Sequence, residues 1–236
     1  MDKREIQRQM YELPGASVGH RAVLVLVVGG WVALGWWLLM GAGLSIAAGW
    51  FTPIQLPGND SRRILIAAGF LIYYVRMLFT VFVFLRRGVS WNEVSTVALW
   101  LLFIVLLLSI TGGTNPAGVG VVDAVGVMLF FGGSWISTYA EYTRHAWKKR
   151  PENRGQLYTG GLFRYLRHPN YLGDLLLFSG LCVISGALIT AVVPVLMVAG
   201  FVFVNIPILE SHLRERYGAA FDEYARYTRK LIPFIW

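Results

Sequence analysis

One stretch, residues 157–174 (LYTGGLFRYLRHPNYLGD), places Tyr158, Arg164, Arg167, His168, Asn170, Tyr171 and Asp174 at the mouth of a long apolar run. That density of hydrogen-bonding and ionisable groups suits a pocket for a phosphate-bearing or otherwise polar cofactor. Asn170 and Asp174 are four residues apart, so a helix that begins near Pro169 puts them on one face. Proline fits a first helical turn, where its missing N–H is no loss. Arg167 and His168 then precede a helix start whose free N–H groups already favour an anion. A positive-inside anchor would need Arg167 but gives no reason for Asn170 and Asp174.

Other chemistry-bearing residues lie at membrane depth, where ionisable groups are expensive and usually functional. Tyr73 and Arg76 stand one turn apart in an apolar run, beside Tyr74. An arginine there must face a water-filled or protein-lined cavity, and its charge would make a nearby phenol a better donor. Glu141, His145 and Lys148 form a polar stripe at helical spacing, expected to point toward 157–174. Asp123 reads as a boundary residue at the outer end of its span. Asn205, Glu210 and His212 sit at the end of the last span. Arg214, Arg216, Arg226, Arg229 and Lys230 follow, interleaved with Tyr217, Tyr224 and Tyr227. Glu210 and His212 suit a cofactor, and Arg226 suits acidic lipid.

The elements that must hold these groups are membrane spans. The chain has 236 residues, 56% of them hydrophobic and only 14% charged, against about 25% charged in soluble domains. An apolar run needs ~20 residues to cross a bilayer unaided, and six runs are read as spans, the fifth the shortest: 18–50, 64–85, 94–110, 119–142, 171–184 and 188–209. The first is too long to be a signal-peptide core and is followed by more. The net charge of +8 lies between the spans, where lipid headgroups and topology explain it better than nucleic acid does. With both termini cytoplasmic, basic residues fall on the inner pieces and Arg62-Arg63 is the exception, partly offset by Asp60. One cysteine, Cys182, excludes an intrachain disulfide, and four scattered histidines give no metal-ligand spacing, so no metal is expected. The expectation is an all-α polytopic membrane bundle of six to seven helices, a single membrane domain over 1–236. Within it, 1–140 would serve the substrate and 141–236 the cofactor. Residues 1–17 are expected to form a short cytosolic or interfacial helix ending near Pro14.

RHPNYLGDLL, with GGLF before it and LIPFIW at the end, resembles a superfamily of membrane enzymes: steroid 5α-reductases, sterol C=C reductases and isoprenylcysteine carboxyl methyltransferases. The resemblance is specific over about 140–236 and loose before that. It implies NADPH in the reductase branch and S-adenosylmethionine in the methyltransferase branch. RHPNYLGD, with Asn170 and Asp174, is more similar to the sterol reductase form. Carried over by position, it implies cofactor contacts from Glu141, Lys148, Tyr158, Arg167, His168, Asn170, Tyr171 and Asp174. Glu210, His212 and Arg229 follow in the tail. YYVR is similar to the reductases' Tyr-x-x-Arg element, so Tyr73, with Tyr74 in reserve, would activate the substrate ketone, assisted by Arg76. Glu12-Leu13-Pro14 resembles their Gln-Glu-Leu-Pro acid, with Tyr11 in place of the glutamine. The resemblance therefore implies a monomeric enzyme of the bacterial inner membrane or the endoplasmic reticulum. It would use NADPH to reduce a C=C bond conjugated to a ketone in a steroid or other lipid. Methyl transfer to a lipid-borne acceptor is the alternative, and a transporter lined by Arg76 and Asp123 is the non-enzyme reading.

Overall fold

A computed structural model describes residues 18–49 and 55–232. Among them the architecture is a bundle of helices with no strand beyond an isolated bridge between Leu166 and Arg229. Helix α1 is Val18–Met40, α2 Gly43–Ala48, α3 Asp60–Phe79, α4 Trp91–Gly113 and α5 Val121–Lys149. Then come α6 Pro169–Ser185, α7 Val192–Gly200, α8 Ile206–Tyr217 and α9 Ala219–Tyr227. Two π-helical segments extend this set, Thr80–Phe84 after α3 and Phe201–Asn205 between α7 and α8. Five helical stretches are long and apolar enough to cross a membrane, and α6 is a shorter sixth. The chain is thus an all-α, multi-pass membrane bundle.

Local chemistry sets the boundaries. Asn59 caps α3 by accepting from the Arg62 amide at 3.1 Å, and Ser90 caps α4 from Glu93 at the same distance. Pro169 opens α6, as its sequence position leads one to expect, and Gly186 closes it in the left-handed region at φ +69°. Pro207 lacks an N–H to offer the Phe203 carbonyl one turn back, which accounts for the π-helical segment at 201–205. The first apolar run is not one continuous helix. It breaks after Met40 at Gly41-Ala42 and restarts as α2, so the span is shorter than 18–50.

Lengths decide where the site can be. Helix α5 has 29 residues, roughly 44 Å at 1.5 Å per residue, well beyond a hydrocarbon core of ~30 Å. Helix α6 has 17, roughly 25 Å, and falls short of it. The last turns of α5 therefore stand proud at the basic end while the start of α6 is recessed beside them. A corner results.

These two helices are pressed together by glycines at seven-residue spacing, 126 and 133 on α5 and 173 and 180 on α6. A β-carbon on Gly133 would overlap the Gly173 carbonyl and the Leu177 amide, and one on Gly180 would overlap the Gly126 carbonyl. Lipid supplies no hydrophobic drive between helices, so close backbone approach at small residues takes its place. Ala140 extends the seam, fully buried.

Opposite the basic end, Arg62 and Asp123 form a buried pair at 2.5 Å. Arg62 also donates to the Ile184 carbonyl and, at 3.3–3.4 Å, to the Gly118 and Ala117 carbonyls. Asp123 accepts from the Gly120 amide at 2.8 Å. Asp123 is therefore not a simple boundary residue, and the charge exception at Arg62-Arg63 is neutralised: Arg63 takes Asp60 at 3.3 Å and the Gly113 carbonyl at 2.8 Å.

Candidate functional site

The recessed corner holds an inner cluster drawn from α3, α5 and α6. Arg76 donates to Asp174 at 2.6 Å and to the Ser137 hydroxyl at 2.7 Å, and Ser137 donates to the same Asp174 oxygen at 3.0 Å. The seam explains the placement: Gly173 meets the Ser137 amide where a β-carbon would come within 2.5 Å. Its neighbour Asp174 is thereby delivered to α5. Thr80, first residue of the π-helical segment, donates to Glu141 at 2.9 Å. Tyr73 lies at the apolar edge of this cluster, its ring 5.0 Å from Phe178. The Arg76 guanidinium sits over the Tyr73 ring, 5.5 Å from its centroid, while its charge is taken by Asp174. The guanidinium is thus near enough for its charge to act on the phenol. Tyr74 turns the other way and donates to the Val25 carbonyl of α1 at 3.3 Å, which leaves Tyr73 as the tyrosine of the corner.

The stripe on α5 divides. Glu141, one turn past Ser137, stays close enough to Asp174 and Arg76 for their charges to act on it. Glu141 also takes Thr80, His145 lies 5.7 Å from the Phe84 ring, and Lys148 reaches Tyr217. Lys148 makes only a long contact to the Tyr217 hydroxyl, 3.4 Å. Arg144, Arg216 and Arg86 lie near enough to repel its charge, and Arg86 donates to the Lys148 carbonyl at 3.2 Å. This is a rim of four cations on three elements.

A third group, a clasp, ties the tail across the corner. Arg167 donates to Glu210 at 2.7 Å and to the Ala225 and Thr228 carbonyls at 2.7 and 2.8 Å. His168, 1% exposed, lies 3.1 Å from the same Glu210 oxygen. The Arg167 and His168 amides donate to the Arg229 and Lys230 carbonyls, and Tyr224 donates to the Phe163 carbonyl at 2.6 Å. Burial holds His168 below its ordinary pKa, outweighing the pull of Glu210. Burial likewise raises Tyr224. Arg167, His168 and Glu210 thus have partners in one another and fasten α8 and α9 to the start of α6. The Arg229 side chain is exposed, and His212 is half-buried on α8 two residues past Glu210.

Aromatic groups complete the walls. Tyr171 stacks between His168 and Phe201 at 5.4 and 4.6 Å, so the second π-helical segment also borders the corner. Tyr158 packs on Trp147 and Phe163 at 5.2 and 5.4 Å. Asn170 is half-buried one turn before Asp174. Glu12, the third expected catalytic residue, lies outside the described residues, as do the rest of 1–17 and 233–236 of the closing motif. Ser137 and Thr80 escape sequence reasoning, since a lone hydroxyl in an apolar helix carries no signal of its own.

Fold and site together define a polytopic helical membrane protein with a polar, cation-rimmed corner at one end. A family model described as "Protein of unknown function (DUF1295)" matches residues 89–230, more than half of the sequence, and the chain belongs to that family. The match begins beyond Tyr73 and Arg76. The chain is 30% identical over 113 residues to "3-oxo-5-alpha-steroid 4-dehydrogenase 2" of Homo sapiens, covering 48% of this chain and 42% of that protein. It is 30% identical over 119 residues to "Probable protein-S-isoprenylcysteine O-methyltransferase" of Oryza sativa subsp. indica, covering 48% and 62%. Over 66 residues it is 42% identical to "Probable O-methyltransferase ustE" of Ustilaginoidea virens, covering 28% and 23%. The matched regions span between about a quarter and three fifths of these relatives. Family and relatives place the chain in the steroid 5α-reductase-like superfamily, whose named members include both dehydrogenases and methyltransferases.

Proposed function

We propose that this protein is an NADPH-dependent reductase of a carbon–carbon double bond conjugated to a ketone, acting on a steroid-like or other lipid. The observation that carries this reading is the rim. Lys148, Arg144, Arg216 and Arg86 gather positive charge at one mouth, an arrangement that repels itself until an anion arrives. NADPH brings phosphates to such a place. S-adenosylmethionine brings a cationic sulfonium and no phosphate. The residues present therefore fit NADPH better.

Lys148, with Arg144, Arg216 and Arg86, would hold the phosphates. Asn170 and Asp174 would hold the polar groups of the reactive end, and Tyr158 and Tyr171 offer aromatic faces. Arg229 and His212 would add contacts from the tail. Arg167, His168 and Glu210 would keep the tail in place across it. NADPH, when bound, supplies a hydride and leaves as NADP⁺. Tyr73 donates its O–H to the ketone oxygen as negative charge develops there. The β-carbon gains the hydride, the α-carbon gains a proton from solvent, and the C=C bond becomes single. The surrounding apolar helices exclude competing water.

The methyltransferase names among the relatives support a second reading, methyl transfer from S-adenosylmethionine to a lipid-borne acceptor. Purified protein supplied with NADPH and a panel of steroid 4-ene-3-ketones and long-chain enones should consume NADPH and yield products heavier by two hydrogens. Transfer of label from methyl-labelled S-adenosylmethionine, with NADPH untouched, would overturn the reductase.

A further inference from the structure

Depth separates two sets of cations at the basic end. Gly173 meets the Ser137 amide, and α5 and α6 run antiparallel. Pro169, four residues before Gly173, is therefore level with Glu141, four residues after Ser137. Tyr139 and Tyr142 stand at that level, exposed on α5, and exposed tyrosines of a span mark the headgroup layer of a bilayer. Lys148 is seven residues beyond Glu141, roughly 10 Å farther out. The cation rim is thus clear of the membrane, where a soluble anion can reach it. The tail lies lower. Just before Pro169, the Arg167 and His168 amides donate to the Arg229 and Lys230 carbonyls, and the Arg167 side chain donates to Ala225 and Thr228. Residues 225–230 are tied down at the level of the tyrosines.

What these tied segments leave outside suits that layer. Helix α9 is two-sided: Phe221 is fully buried, while Arg226 and Tyr227 are exposed, Tyr227 by 83%. On the segment it is tied to, Arg164 and Tyr165 are exposed, Tyr165 by 60%. A tyrosine ring so exposed has little to gain in water, but ring and hydroxyl both find partners among headgroups. Asp222 is taken by Arg214 at 2.8 Å. Glu223 is then the acid that α9 leaves exposed, against exposed Arg164, Arg226 and Arg229. The surplus is positive.

We propose that α9 and residues 164–165 form a docking surface for the anionic phospholipid headgroups of the leaflet at the basic end. Arg164 and Arg226 take headgroup phosphates, and Tyr165 and Tyr227 lie among the headgroups beside them. The surface is separate from the rim, which stands farther out and carries its own four cations. Arg167 grips Ala225 and Thr228, on either side of Arg226 and Tyr227. Headgroup contact therefore presses α9 onto the clasp, and charged lipid steadies the tail that crosses the corner. The proposal holds whichever cofactor the corner takes.

The test uses full-length protein in nanodiscs of phosphatidylcholine, alone or mixed with phosphatidylglycerol. Mass spectrometry reads amide hydrogen exchange over 219–231. Phosphatidylglycerol should slow exchange there by about fivefold for each arginine engaged, and high salt should remove the difference. A protein carrying Arg164→Gln and Arg226→Gln should exchange alike in both lipids while keeping the native unfolding midpoint in detergent. The corresponding double lysine variant should keep most of the slowing. Both variants leave Arg229 untouched, since the cofactor reading uses it. Equal exchange of the native protein in the two lipids overturns the proposal, as does a double glutamine variant that still responds to phosphatidylglycerol. Inorganic phosphate that reproduces the slowing in phosphatidylcholine also overturns it, by revealing a site for free anions. So does a slowing spread evenly over α1–α6, which would belong to the bilayer and not to the tail.

Discussion

Two arginine–aspartate pairs occupy opposite ends of this bundle, and they are built differently. Arg62 and Asp123 are 4% and 7% exposed, and further contacts to backbone carbonyls and to the Gly120 amide surround them. Arg76 and Asp174 are 12% and 31% exposed and share a single serine, while in both pairs the arginine Nε is buried without a partner. The first pair is closed off and tied to backbone, joining the start of α3 to α5 and the end of α6. The second pair is more open, with Asp174 nearly a third exposed. A fully buried pair is a fastening whose separate halves are each intolerable. A partly exposed one at the mouth of a corner is within reach of a ligand.

The comparison can be broken first at the closed end. Arg62→Ala strands Asp123 in a buried site and should lower stability by about 3–5 kcal/mol, read as a lower unfolding midpoint in detergent. Replacing both residues by apolar ones of similar volume should recover most of that loss. Next is the seam that delivers Asp174. Gly133→Val pushes against the Gly173 carbonyl, an overpacking expected to be destabilising by about 1–3 kcal/mol. Because it displaces Asp174 from Ser137, NADPH binding should fall with it, which a midpoint alone would not reveal. Asp174→Asn sharpens the contrast from the open end: the fold should change little, while NADPH affinity drops about tenfold, roughly 1.4 kcal/mol.

The smallest effect concerns the clasp. His168 is held below its ordinary pKa by burial, so the unfolded chain binds the proton more readily. Its contribution to stability is complete above the unfolded pKa of about 6.5. It is lost progressively as pH falls from there toward the lower folded value. The unfolding midpoint should decline below about pH 6.5, and His168→Gln should flatten that decline.

Much of this design could be read in the sequence because it is local. Hydrophobic run lengths give the spans, Pro169 gives the start of α6, and four-residue spacing puts Asn170 and Asp174 on one face. The seven-residue glycine spacing on two successive apolar segments was also there to be read, and it is what brings Ser137 to Asp174. What was not legible depends on long-range pairing. Nothing near Arg62 names Asp123, 61 residues away, as its partner. Nothing near Arg167 says that its guanidinium will be spent on Glu210 and the tail. The partners of Glu141, His145 and Lys148 (Thr80, the Phe84 ring and Tyr217) also lie far off in the sequence. The π-helical segment at 80–84 has no sequence marker comparable to Pro207.

The most direct measurement is the rise in unfolding midpoint of purified protein with NADPH, NADH and S-adenosylmethionine side by side, since a ligand that binds the native state raises it by mass action. Native protein should respond to NADPH, less to NADH, which lacks the extra phosphate for the rim, and not to S-adenosylmethionine. The Asp174→Asn protein should lose most of the NADPH response. The less stable Arg62→Ala protein should keep the same increment from its lower starting point. Stabilisation by S-adenosylmethionine alone, or an NADPH response equally strong in Asp174→Asn, would contradict the assignment of the open pair and its cation rim to NADPH.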